Sequence, residues 1–111
     1  MLTVEQVDAT VLAGAKFIVS PGFDVEIVDY CIKNEIPVFP GCISPPEVAQ
    51  AVKRGLKVVK FFPAEPAGGI SMIKAMAAPY VGIKYMPTGG INAKNLEEYL
   101  SCDKIICCGG S

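Results

Sequence analysis

Short apolar runs recur roughly every twenty positions along this chain, and each one ends in glycine or proline. The runs are Phe17-Val19, Ile36-Phe39, Val58-Phe62, Ile83-Met86 and Ile105-Cys108. They stop at Pro21-Gly22, Pro40-Gly41, Pro63, Pro87-Thr88-Gly89-Gly90 and Gly109-Gly110. Each interval has room for one strand, one short helix and two loops. Strands alternating with helices must run parallel, because each helix carries the chain back to where the next strand starts.

The helices announce themselves by caps and stripes. Thr3 with Gln6 forms a capping-box pattern ahead of Val4, Val7 and Val11, with a stop at Gly14. Asp24 caps a helix with Val25, Val28 and Ile32 on one face. Ser44 with Glu47 and an early proline opens a helix carrying Val48, Ala51 and Val52, ended by Gly55. Gly69 to Ala78 carries Ile70, Ile73 and Ala77, and Asn92 caps a last helix with Leu96, Tyr99 and Leu100. These stripes are core contacts against a sheet. The tally is one helix and then five strand units. Five strands can close an open doubly wound sheet, whereas a (β/α)8 barrel needs eight.

Composition removes several function classes. With 111 residues the chain is read as a single domain, residues 1-111, with a modest core. Net charge is -1 and Arg54 is the lone arginine, so no basic stripe invites nucleic acid. No apolar run approaches a membrane span, and the first residues lack the pattern of a signal peptide. Histidine is absent, which removes Ser-His and Cys-His nucleophiles and histidine metal sites. The five cysteines (Cys31, Cys42, Cys102, Cys107, Cys108) show no metal-ligand spacing and read as reduced, buried thiols of a cytoplasmic protein.

Against that background Lys60 stands out. It lies within Val58-Val59-Lys60-Phe61-Phe62-Pro63, a run that reads as a strand buried on both faces. Burial disfavours the charged form of an amine, and a desolvated amine is the nucleophile that Schiff-base chemistry on a carbonyl requires. At a strand end the same lysine would instead snorkel to solvent. Phe62 shares the lysine's face by strand alternation and could wall its pocket. Tyr30, Tyr80, Tyr85 and Tyr99 read as packing.

In parallel α/β architectures ligands bind beyond the carboxyl ends of the strands. Pro87-Thr88-Gly89-Gly90-Ile91, followed by an Asn92 helix start, is an anion cradle of small residues at a helix N-terminus. Cys108-Gly109-Gly110-Ser111 is a second such turn. Singly each is an ordinary tight turn. Jointly they match the phosphate site that barrel enzymes build after their last strands. Thr88 could donate its hydroxyl to a carboxylate or cap a turn, Glu65 is the nearest carboxylate or a plain loop residue, and Pro21 shapes a strand end.

The motifs IVSPGF, IPVFPGCISPPE, VVKFFPAE, MPTGGI and CCGGS, in this order, closely resemble the 2-keto-3-deoxy-6-phosphogluconate (KDPG) aldolases, a family overlapping with the 4-hydroxy-2-oxoglutarate (KHG) aldolases. The resemblance covers essentially the whole chain. It implies an α/β fold that is a partial TIM (β/α)8 barrel of about five parallel strands with intervening helices, the C-terminal part of that barrel. It implies cofactor-free and metal-free class I aldol cleavage of small 2-keto acids. Lys60 then condenses with the 2-keto group and Thr88 holds the pyruvate carboxylate. Gly89, Gly90, Gly109, Gly110 and Ser111 hold the phosphate, while Pro21 and Phe62 line the site. The full-length parent is expected to be a homotrimer.

The departure from the family pattern is equally specific. The family's acid-base glutamate and its carboxylate-binding arginine belong to a strand preceding a GAGT strand, and Met1-Leu2-Thr3 aligns just after the latter. The chain is therefore expected to be a fragment that is nearly inactive alone. Two alternatives remain: a non-covalent phosphate-binding barrel enzyme in which Lys60 is a point charge, and an inactive remnant.

Overall fold

The structure, a computed structural model, describes residues 3–109. Contacts gather in two compact units, one ending at Gly41 and one beginning at Cys42.

The first unit runs α1 (Val4–Leu12), β1 (Ile18–Ser20), α2 (Val25–Lys33) and β2 (Val38–Pro40). Both helix starts form as their sequences dictate. Thr3 accepts the Gln6 N–H and Asp24 accepts the Ile27 N–H, each quenching one orphan amide of a first turn. Strands β1 and β2 pair in parallel, with Ile18 against Val38 and Val19 against Phe39. Val7, Ile18, Ile27, Val28, Cys31 and Val38 form the unit's core. The buried face of α2 is therefore Ile27, Val28 and Cys31, and the expected stripe is corrected: Val25 and Ile32 are exposed. Residues three and four apart share a face, and the thiol at Cys31 packs as a small hydrophobe where Ile32 was expected. Val11 in α1 is likewise at the surface.

The second unit runs α3 (Pro45–Lys53), β3 (Val58–Phe61), α4 (Gly69–Ala77), β4 (Lys84–Pro87) and α5 (Leu96–Leu100). The capping box at α3 forms only in part. Glu47 accepts from the Ser44 hydroxyl and the Ile43 N–H, while Ser44 caps no amide. Strands β3 and β4 pair in parallel, Val59 against Tyr85 and Lys60 against Met86. Val59, Phe61 and Tyr85 are fully buried on one face of this pair, where the core also holds Ile73, Met76 and Val48. The opposite face is half-open, with Val58, Lys60 and Met86 half-buried. The expectation of a strand buried on both faces is thus corrected: it holds for the odd-numbered residues alone.

The fifth predicted strand, Ile105-Cys108, does not form. Two isolated bridges stand in its place, Tyr85 to Ile105 and Thr88 to Gly109. Ile106 donates to the Tyr85 carbonyl and Gly109 donates to the Pro87 carbonyl. Three residues on one side thereby span two on the other, a bulge that breaks the ladder and leaves Ile106 and Cys107 exposed. The cysteine reading changes accordingly: Cys31, Cys42 and Cys102 are buried, but Cys107 is not and Cys108 is half-buried. The last helix also starts later than expected. Asn92 accepts from the Lys94 N–H in a local turn, and Asn95 is the residue before α5.

Candidate active site

Side chains alternate across a strand, so Lys60, Phe62, Met86 and Thr88 fall on the half-open face of the β3–β4 pair, at its carboxyl end. The Lys60 ammonium stands over the Phe62 ring, 4.8 Å from its centroid. An aromatic face attracts a cation while offering it no hydrogen bond, which orients the amine and keeps one side of it dry. The Lys60 carbonyl is fixed by the Cys42 N–H at 2.7 Å.

Thr88 follows β4 directly, its N–H bonded to the Phe61 carbonyl at 2.9 Å. Its hydroxyl oxygen is buried and has no hydrogen-bond partner among the described residues. A buried hydroxyl is normally paired, so an orphan at a strand end marks a place where a polar ligand group would be satisfied. Its methyl explains the glycine opposite: a Cβ on Gly109 would lie 2.5 Å from Thr88 Cγ2.

The turn after Thr88 is made by two left-handed glycines, Gly89 at φ +96° and Gly90 at φ +81°. Neither could carry a side chain. A Cβ on Gly89 would meet Pro63 Cα at 3.1 Å, and one on Gly90 would meet Glu65 Cβ at 2.7 Å. The carbonyls of Thr88 and Gly89 accept from the N–H groups of Ala64 and Glu65 at 2.8 and 3.1 Å. The helix-start half of the expected anion cradle is corrected here. Four residues lie between Ile91 and Leu96, and no helix dipole reaches the turn; backbone amides alone remain to meet an anion. Gly110 and Ser111 lie outside the described residues. Pro21 belongs to the first unit, at the carboxyl end of β1, where its carbonyl occupies the space a Gly41 Cβ would need.

Glu65, which the sequence left open as the nearest carboxylate or a plain loop residue, and Asn95, which it did not single out, stand against this turn. Glu65 accepts from Asn95 Nδ2 at 2.6 Å, and the same amide donates to the Gly90 carbonyl at 3.0 Å. Tyr99 is buried beside Glu65, and its phenol is pushed up to about 12, first by burial and then by the Glu65 charge. Its hydroxyl oxygen nonetheless makes no well-formed hydrogen bond. Only the three-dimensional fold reveals these contacts, since thirty residues separate Glu65 from Asn95. No cluster of three or more His, Cys, Asp or Glu side chains placed to hold a metal ion occurs among the described residues, and no helix there is long and apolar enough to cross a membrane.

Comparison with known proteins places the chain in a family and its fold in an architecture. The sequence model of the family described as KDPG and KHG aldolase matches residues 1–111. The 2-dehydro-3-deoxy-phosphogluconate aldolase of Treponema pallidum is 46% identical over 111 residues, which is 100% of this chain and 53% of that protein. The KHG/KDPG aldolase of Escherichia coli K12 is 36% identical over all 111 residues, 52% of its length. Among solved structures, KDPG aldolase from Legionella pneumophila, with pyruvate captured at low pH as a covalent carbinolamine intermediate, superposes with a TM-score of 0.92 at 45% identity. That match covers 96% of this chain and 52% of the other. The aldolase of Zymomonas mobilis ZM4 with 3-phosphoglycerate gives a TM-score of 0.94 at 32% identity, over 99% of this chain and 52% of that one. The chain therefore spans about half the length of the relatives it matches. Its fold is that of part of an α/β barrel. With its whole sequence matched by one family of carbon–carbon lyases, the chain belongs to the KDPG and KHG aldolases.

Proposed function

We propose that this chain is the C-terminal part of a single-domain class I aldolase, acting on KDPG, 4-hydroxy-2-oxoglutarate or both, and that Lys60 is its Schiff-base lysine. The carrying observation is the Lys60 ammonium poised over the Phe62 ring, on the sheet face that also bears the Thr88 hydroxyl, unpaired among the described residues. In this reading the deprotonated Nζ attacks the C2 carbonyl of the keto acid to give a carbinolamine. Loss of water then leaves an iminium. The bond between C3 and C4 breaks with its electrons flowing into the iminium, while the C4 hydroxyl gives up its proton. An aldehyde departs and pyruvate remains as an enamine, to be protonated and hydrolysed from the lysine. The aldehyde is glyceraldehyde 3-phosphate from KDPG and glyoxylate from 4-hydroxy-2-oxoglutarate.

Thr88 would donate to the pyruvate carboxylate, and by the family resemblance Pro21 and Phe62 are each assigned to substrate binding. Gly89, Gly90, Gly109, Gly110 and Ser111 would hold the phosphate of the longer substrate. Support comes from the covalent pyruvate of the Legionella relative and the phosphate-bearing ligand of the Zymomonas one. Taken alone, the 111 residues would form the imine yet turn over slowly. The complete enzyme would be a cytoplasmic homotrimer.

The test is reductive trapping. Borohydride added with pyruvate should leave a pyruvate-derived adduct at Lys60, located by peptide mass spectrometry, and Lys60→Met should abolish it. Labelling spread over the other lysines with Lys60 unmodified would sink the Schiff-base assignment in favour of a non-covalent phosphate role.

A further inference from the structure

We propose that Glu65 and Asn95 are positioning residues, which hold the Gly89–Gly90 turn so that three successive backbone amides face an anion. This rests on the phosphate reading of that turn given above.

Three consecutive carbonyls are tied down on one side. Thr88 accepts from Ala64 N–H at 2.8 Å, Gly89 from Glu65 N–H at 3.1 Å, and Gly90 from Asn95 Nδ2 at 3.0 Å. The peptide bonds that follow them are trans, since Phe62–Pro63 holds the cis bond among the described residues. In a trans peptide the carbonyl and the next N–H point in opposite directions. Fixing these three carbonyls therefore turns the N–H groups of Gly89, Gly90 and Ile91 to the other side. None of the three donates to a backbone carbonyl among the described residues. Successive free amides next to left-handed glycines form the kind of concavity that binds anions.

Two of the three ties come from the polypeptide backbone. The third depends on side chains. Asn95 places one amide proton on Gly90 and the other on Glu65 Oε1 at 2.6 Å, while its own oxygen accepts the Asn92 N–H at 2.8 Å. Every polar atom of the Asn95 side chain is thus used, and its amide can face one way alone. Glu65 fixes that orientation, and Tyr99, 2% exposed, packs against the Glu65 carboxylate. Glu65 also presses on the turn directly, its Cβ and Cγ filling the space that a side chain at Gly90 would take.

The experiment is a titration of the 15N-labelled chain with inorganic phosphate, followed through backbone amide shifts. In the wild type the largest shifts should fall on Gly89, Gly90 and Ile91. Glu65→Gln and Glu65→Ala remove the same charge, but only glutamine can still accept from Asn95. Glu65→Ala should therefore bind phosphate about tenfold more weakly than Glu65→Gln, the loss that one hydrogen bond of this kind supports. Should Glu65→Ala lose its dispersed spectrum, Asn95→Ser decides. It keeps an oxygen for the Asn92 N–H, lacks the amide donors, and should likewise bind about tenfold more weakly than wild type. Equal affinities for the two Glu65 variants, or an unchanged Asn95→Ser, would overturn the positioning role while leaving the phosphate reading standing. Phosphate that leaves the three wild-type amides unmoved would overturn both.

Discussion

Replacing Thr88 by valine should stabilise the fold and weaken the site at once. Valine matches threonine in shape, exchanging one buried hydroxyl for a methyl. That hydroxyl has no partner among the described residues. A buried hydroxyl left unpaired costs about 1–3 kcal/mol, and an apolar group of the same shape escapes that cost. The other methyl, Cγ2, keeps its place against Gly109, so no new cavity opens. A gain of about 1 kcal/mol is expected, which raises the urea midpoint by roughly 0.5–1 M at an m-value of about 1–2 kcal/mol/M. In the same protein the pyruvate concentration needed for half-maximal borohydride trapping at Lys60 should rise about 10- to 100-fold. That is the loss expected when a hydrogen bond to a carboxylate disappears. The two measurements must move in opposite directions. A valine variant that unfolds more easily would show that the hydroxyl is already paired within the fold, and an unchanged trapping curve would show that it does not meet the keto acid.

The turn glycines and the buried tyrosines carry two further expectations. Gly90→Ala combines a left-handed backbone with a Cβ 2.7 Å from that of Glu65, so it should lower stability by about 2–4 kcal/mol in chemical denaturation. Gly82→Ala, at φ +97° but with nothing within 4 Å, should lose only about 1 kcal/mol; equal losses would show that Glu65 does not press on the turn. Tyr85 is fully buried and its phenol is pushed up to about 12 by burial, with the neighbouring Cys42 and Tyr80 adding to the shift. A raised folded value means that its contribution is intact below pH 10 and is lost as pH climbs from 10 towards 12, about 2–3 kcal/mol in all. Tyr85→Phe should flatten the alkaline limb of the stability–pH curve by that amount, and superimposable limbs would refute the assignment.

Four of the five strands were legible because each is a local event: an apolar run ended by a residue that cannot continue it. The observed strands β1, β2 and β4 sit one or two residues later than the runs suggest and take in Ser20, Pro40 and Pro87. Strand limits follow the partner's hydrogen bonds as well as the hydropathy of the run, and a proline can close a ladder that asks nothing of its missing N–H. The fifth run failed for a reason its composition does not encode. Ile105 and Gly109 reach Tyr85 and Thr88, but the intervening residues do not match the spacing of β4. Helix faces failed more mildly, because several apolar residues flank each stripe and the sequence does not say which arc meets the sheet.

The site divides along the same line. Lys60 was legible because a charge inside an apolar strand is anomalous in the sequence itself, and its pairing with Phe62 follows from a period of two. Glu65 and Asn95 carry no such anomaly; Glu65 stood open as the nearest carboxylate or a loop residue, Asn95 drew no notice, and the fold alone joins them across thirty positions. The glycines stand between these cases. Their clustering is visible, but the reason for each lies in its neighbour: Glu65 fills the space beside Gly90, Thr88 the space beside Gly109, and Pro63 the space beside Gly89. The turn is thus shaped as much by what surrounds it as by its own freedom. A glycine-rich motif with other neighbours could make the same turn locally without aiming its amides anywhere, and on that ground Glu65, more than the glycines, sets the direction in which this turn faces.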